Sequence, residues 1–390
     1  MNDMFETLDR RNTRSAKWQM AIETVGHDQV LAFSVADSDY ETAPCVKAAL
    51  KKRLDHGAYG YTLADDTYKT AVLTWFERRY GWTTVKENVL VTSKVLTALS
   101  IVIESLTDDK DAVVIQTPVY HVFYPLVKQQ RRKLVENPLL ENDGRYRIDF
   151  KQLEACFAAG VKMLVFCSPH NPVGRVWRED ELLQLIHLCK HYGVWLVSDE
   201  IHADLILPPH RFLSVGQYQA LYDRLIVVQS AGKTFNLAGL QTANLIVFDK
   251  TARTRIKQRL ARYFLQGSNL FGIEAVIAAY TAGDVWVDAQ NRHVDAQAKK
   301  LETWLDKYYP TVKMTPLEGT YLAWLNVSAL DQDGTQFEQA CHDAGVVVSA
   351  GKPFSQHYTN WMRLNLACSS EQLDEGLKRL GQAFNELMKL

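Results

Sequence analysis

Lys233 lies in the stretch Ser230-Ala231-Gly232-Lys233-Thr234-Phe235-Asn236, directly after the apolar run Leu225-Ile226-Val227-Val228. A short β-branched run of this kind reads as a buried strand. A lysine just past such a strand stands at the rim of a sheet, where open α/β folds bind their ligands. Shielding from water there disfavours the ammonium form and lowers its pKa. A neutral amine attacks carbonyl groups and forms a Schiff base, the activated-lysine route of covalent catalysis. The small residues Ser230, Ala231 and Gly232 let a ligand come close to the backbone. By itself a Ser-x-x-Lys is more often a surface loop than a site. The serine enzymes that use it add Ser-Asp-Asn and Lys-Thr-Gly, and neither accompanies it here. The residues upstream change the odds.

Four further apolar runs end in residues with chemical capacity. Asn88–Thr92 leads into Ser93-Lys94-Val95, Ala112–Ile115 into Tyr120, Val161–Cys167 into Asn171, and Val194–Ser198 into Asp199 and His202. Together they match the needs of pyridoxal phosphate (PLP). Its ring nitrogen must keep a proton, which a buried carboxylate such as Asp199 stabilises. Its phenolic oxygen wants a neutral donor, which the Asn171 amide supplies. Tyr120 offers an aromatic face for stacking. The phosphate wants backbone N–H groups at a helix start, where Ser93, Lys94 and Val95 lie, and the Ser230 hydroxyl. Each residue alone has a plainer reading: a loop carboxylate, a turn former before Pro172, a core aromatic. The fitting types at successive strand ends, in order, are what point to PLP.

The elements that must hold these residues are legible in outline. Helices are predicted over Pro44–His56, Asp66–Tyr80, from an N-cap at Ser93 to Leu106, and over Glu179–Tyr192. The first 48 residues otherwise read as irregular, with a short strand at Leu31–Val35. Strands that are continuously apolar, with helices between them, imply a parallel sheet covered on both faces. Ala243–Phe248 reads as one more such strand. From Asp284 the texture changes. A long helix runs to Tyr309, and strands at 321–327, 346–349 and 361–366 alternate with helices at 336–344 and 371–390. The expected architecture is α/β: a large domain over 49–283 with a mostly parallel sheet, and a smaller α+β domain built from 1–48 and 284–390.

A chain of 390 residues suits two domains, and a formal net charge of −1 gives no reason to expect a nucleic-acid or membrane partner. No apolar stretch is long enough to span a bilayer, and Met1–Arg14 has no apolar core of a secretory signal. The six cysteines form no Cys-x-x-Cys pair, which argues against a zinc site and a disulfide framework. A cytoplasmic protein is expected.

Ser168-Pro-His-Asn-Pro-Val-Gly174, Ser198-Asp-Glu-Ile-His202 and Ser230-Ala-Gly-Lys-Thr-Phe-Asn236 resemble the fold-type I PLP enzymes of the class I/II aminotransferase group. Within it the chain is most similar to the MalY/PatB branch of cystathionine β-lyases. The resemblance spans nearly the whole chain, including Ala36-Asp-Ser-Asp-Tyr40, His56-Gly-Ala-Tyr-Gly-Tyr61, Thr117-Pro-Val-Tyr-His-Val-Phe-Tyr124 and Met362-Arg-Leu-Asn365. His202 stands where many aminotransferases have tyrosine against the ring oxygen. The resemblance implies that Arg363 clamps a substrate α-carboxylate. It implies that Tyr61 reaches the phosphate of a neighbouring subunit in a homodimer, and that the segment through Asp39 lines the substrate mouth. Ser38 departs from the usual Asp-Met-Asp of that segment and bears on side-chain preference. The implied reaction is β-elimination from cystathionine or another cysteine S-conjugate, giving a thiol, pyruvate and ammonia. Lys233 would be the base, with Tyr120 or the lysine assisting the leaving sulfur. An aminotransferase and a non-catalytic PLP-binding regulator are the alternatives.

Overall fold

A computed structural model describes residues 3–332 and 334–389, so the last residue of the helix expected over 371–390 lies outside it. The central element is a 7-stranded sheet. Its order across the sheet is Val89–Thr92, Ala243–Val247, Leu225–Gln229, Trp195–Asp199, Met163–Cys167, Ala112–Ile115 and Lys133–Glu136. The strands pair in parallel except Ala243–Val247, which runs antiparallel to both neighbours. The sequence pattern implies a parallel strand there, and the structure reverses it. A strand buried on both faces is continuously apolar in either direction, so its pattern carries no polarity.

Register explains why the chemistry gathers at one edge. Cys167 pairs with Asp199, and Asp199 with Val228, so three strands end level. Helices Val95–Leu106 and Glu179–Tyr192 are among those that follow sheet strands. The second begins with Glu179, Asp180 and Glu181 and ends with Lys190 and His191, each sign at the helix end it suits. Gly193 closes it at φ 69°, a left-handed value that glycine adopts freely. The helix at Val95 is capped by Lys94, not Ser93, and without a side-chain bond.

The first 48 residues are more ordered than expected. A helix covers Ala16–Val25, and the strand is only Leu31–Ala32, paired in parallel with Val346–Val347. The chain then crosses as a strap of bends without regular secondary structure, 33–40, to the helix Pro44–His56. The C-terminal part holds a 4-stranded antiparallel sheet ordered Lys313–Met314, Leu322–Asn326, Trp361–Asn365, Ser349–Ala350. Helices Leu270–Ala282 and Asp284–Tyr308 meet at Gly283 with an 82° bend. A Cβ on Gly283 would stand 2.4 Å from the Ala279 carbonyl oxygen, so the corner admits only glycine without a shift. Among the described residues no single helix is long and apolar enough to cross a membrane.

Candidate active site

A cavity of about 200 Å³ opens at the level strand ends. Lys233, Asp199, Asn171, His202, Tyr120, Ser230, Lys94 and Val95 all line it, which brings together most of the residues singled out from sequence. Lys233 sits on a turn of helix of four residues, Ala231–Thr234, too short to hold itself. Its neighbours hold it. Thr234 Oγ1 donates to Asp204 Oδ2 at 2.9 Å, Gln290 Nε2 donates to the Thr234 carbonyl at 3.1 Å, and Thr42 Oγ1 donates to the Phe235 carbonyl at 2.6 Å. Asp204 is itself fully buried and also accepts from Trp75 Nε1 and the Tyr80 hydroxyl.

Burial pushes the Lys233 amine down to about 8, against the pull of Asp37 and Asp199. Asp199 is buried too. Its Oδ1 accepts the Ile201 N–H at 3.1 Å, yet burial pushes its carboxyl up to about 7. No salt bridge reaches it among the described residues. His202 is held neutral, first by burial and then by the positive charges of Lys233 and Arg363, and its Nδ1 has no protein partner.

Arg363, at the middle of the strand Trp361–Asn365, is 5% exposed. Its Nη1 donates to Asn171 Oδ1 at 3.0 Å, and its Nη2 to the Ser34 carbonyl at 2.8 Å and Ser349 Oγ at 3.2 Å. The Phe354 ring lies 4.8 Å below the guanidinium. Nε is buried with no partner, and among the described residues no carboxylate pairs with this cation. A buried cation without an anion is costly. The bond to Asn171 also orients that amide: its oxygen is taken, and its NH₂ remains to donate into the cavity. Sequence gave no signal for Phe354, Ser349 or Ser34 as neighbours of Arg363: Ser349 lies on the adjoining strand, Phe354 on the loop after it and Ser34 near the other end of the chain.

Two expectations need amendment, those for Asp39 and Ser230. Asp39 does not line the cavity. It is wholly buried, and its carboxylate accepts from Lys17 Nζ at 2.7 Å, Trp18 Nε1 at 2.9 Å, Arg10 Nη1 at 3.1 Å and Gln372 Nε2 at 3.0 Å. It anchors the strap from behind, and it is Ala36 that faces inward. Ser230 lines the cavity, but its hydroxyl is committed: it donates to the Thr242 carbonyl at 2.6 Å and accepts the Gly232 N–H at 3.0 Å, capping the Lys233 turn. Tyr61 is wholly exposed and lies outside the cavity of its own chain. Cys167 lines the cavity beside Asn171, whose N–H approaches its sulfur at 3.5 Å.

Known proteins share this fold. Residues 28–380 match the family model for aminotransferase class I and II. The chain is 37% identical over 382 residues to cystathionine beta-lyase PatB of Bacillus subtilis (strain 168), covering 97% of this chain and 98% of that one. Its fold superimposes on cystalysin from Treponema denticola, which contains pyridoxal 5′-phosphate, with a TM-score of 0.94 at 32% identity, covering 99% and 100% of the two chains. It also superimposes on the PLP-bound C–S lyase from Staphylococcus hominis, with a TM-score of 0.91 at 29% identity over 98% of each chain. From its sheet edge to its full-length likeness, the chain belongs to the class I and II aminotransferase family.

Proposed function

We propose that this chain is a PLP-dependent carbon–sulfur β-lyase that converts cystathionine, or a related cysteine S-conjugate, to a thiol, pyruvate and ammonia. One observation carries the site: two buried and opposite charges, Asp199 and Arg363, each lack a salt-bridge partner among the described residues and flank an amine of lowered pKa. A cationic ring nitrogen would complete the first, and a substrate carboxylate the second. The Asn171 NH₂, its oxygen taken by Arg363, and the unpartnered His202 Nδ1 fit the polar edge of the same cofactor. The choice of reaction is supported by the relatives, whose names are those of lyases acting on carbon–sulfur bonds.

When bound, PLP supplies an aldehyde for the substrate's amino group and a ring that withdraws the electron pair left at Cα. The protein's residues do the rest. Lys233, its amine lowered to about 8, takes the proton from Cα in its neutral form and returns one where needed. Asp199 holds the proton on the ring nitrogen by its charge. Asn171 donates to the ring oxygen, and Tyr120 covers one ring face. The N–H groups opening the helix Val95–Leu106 take the phosphate, with Lys94 beside them. Arg363 clamps the carboxylate through its planar fork. Tyr61 serves the phosphate of a second copy, so the working unit is a homodimer. The division at Gly283 belongs to the same proposal, as does a cytoplasmic setting, which the six unpaired cysteines support.

Cystathionine supplied to the PLP-loaded protein without any 2-oxo acid should release pyruvate and free thiol. A strict need for a 2-oxo acceptor would instead make it an aminotransferase, the reading that the family name keeps in view. Lys233→Ala should lower turnover by at least about 10²–10⁴-fold, the usual worth of a placed acid–base group.

A further inference from the structure

We propose that Tyr321 is a positioning residue for Lys233: its hydroxyl and the lysine amine meet on the carbonyl oxygen of Ala36, and the tyrosine holds that oxygen in place as the acceptor of the amine whenever the amine is free. Lys233 Nζ donates to the Ala36 carbonyl, and the Tyr321 hydroxyl donates to the same oxygen at 3.1 Å. Tyr321 is fully buried, with its ring edge-on to His202 at 6.0 Å. A carbonyl oxygen has two lone pairs and can serve both donors.

Everything around this oxygen is built to hold it still. The strap carries carbonyls that other donors pin. Ser34 is held by Arg363 at 2.8 Å, Val35 and Asp37 by Asn365 Nδ2 at 2.7 Å each, and Ser38 by Asn236 Nδ2 at 3.0 Å. The carbonyl left between them, that of Ala36, turns inward. Tyr321 is pinned as well. The Thr320 N–H donates to the Leu205 carbonyl at 2.7 Å, and Gly319 bridges Ile206, so the tyrosine's loop is zipped onto the loop that begins at His202. A Cβ at Gly319 would stand 2.9 Å from Val176 and 3.1 Å from the Leu205 oxygen, so this close approach needs glycine.

The physical consequence is a bias on the amine. A shared acceptor gives less to each donor, so the Tyr321 bond weakens the hold of Ala36 on the ammonium form. It acts alongside burial and the charges of Asp37, Arg363, Asp199 and Lys17, with neutral His202 close by. Removing the hydroxyl hands the whole oxygen to Lys233 and favours its protonated form. A base that must be neutral to act then works only at higher pH.

The inference rests on Lys233 being the reacting amine of the proposed lyase. The test uses the full chain freed of cofactor, acylated by acetic anhydride from about pH 6 to about pH 10, with the Lys233 peptide quantified by mass spectrometry. In Tyr321→Phe the midpoint of Lys233 acylation should rise by about half a unit or more above the wild-type value. The acid limb of kcat for the loaded enzyme should move the same way, with KM for cystathionine within about twofold. An unmoved midpoint overturns the proposal. If Tyr321→Phe does not fold, Asn365→Ala replaces it. Freeing the strap on both sides of Ala36 should lower kcat by about fivefold or more with KM unchanged, and an unaltered kcat overturns the proposal. Borohydride labelling of a lysine other than Lys233 would sink the lyase assignment itself, whereas a label on Lys233 with no shift sinks only the role of Tyr321.

Discussion

A carboxylate that no salt bridge reaches is expensive to bury, and Asp199 is such a group among the described residues. Its carboxyl, pushed up to about 7 by burial, binds its proton more tightly in the folded chain than in the unfolded one. The stability this gives is full below the unfolded value of about 4 and is lost as pH rises through about 7. Above that pH the ionised group works against folding until a cationic partner arrives. Asp199→Asn keeps an oxygen for the Ile201 N–H and removes the charge. Without cofactor, this variant should melt above wild type at about pH 8 and level with it at about pH 4, read by differential scanning calorimetry. With PLP added the order at pH 8 should reverse, because the wild type gains an ion pair that the variant lacks. Asp199 and Asn171 were readable from sequence because their types and places at strand ends are local facts. The free bonding capacity that makes them a site was not, since it depends on what every other residue leaves unsatisfied.

Among the elements, the strap 33–40 does most to shape the site, and it has no regular secondary structure of its own. It is held from outside, by donors on Arg363, Asn365 and Asn236 and by the buried ion pairs of Asp39 with Lys17 and Arg10. Its first residue, Phe33, is wedged against the helix Ser370–Leu387 where Gly376 leaves room: a Cβ there would stand 2.5 Å from the Phe33 ring. Gly376→Ala should therefore destabilise the fold by about 1–3 kcal/mol, the usual cost of overpacking a filled core, as measured by urea denaturation. Because Phe33 opens the strap, kcat should fall as well. Periodicity could not find this element. A bent segment whose carbonyls bond to side chains has neither a helical nor a strand repeat. The helix Ala16–Val25 was missed for a related reason: its N-cap Ser15 makes no side-chain bond and its first turn carries no acid, so the usual start signals are faint.

At the scale of the molecule, the site draws on both ends of the chain: strap and Arg363 strand close over the edge of the large sheet. Tyr61, wholly exposed, stands near Tyr59 and Leu63, which are also exposed. Apolar residues clustered on a surface in this way mark an interaction face. Sedimentation equilibrium should return twice the 44.4 kDa of one chain. Tyr61→Phe should leave that mass unchanged while speeding loss of PLP on dialysis, because only the hydroxyl of Tyr61 would touch the phosphate. A monomer with full activity would remove the shared site from the proposal.

Sequence by itself determined the cofactor chemistry and the sheet that carries it. Strand periodicity and the residue that follows each strand are properties of a few neighbouring positions, and those positions came out together at one edge. Tertiary structure decided which way the strap faces: Asp39 inward to Lys17 and away from substrate, Ala36 toward Lys233, Tyr321 onto the same oxygen. The last two of these choices are made by partners 197 and 285 positions away, through bonds whose geometry no local pattern encodes.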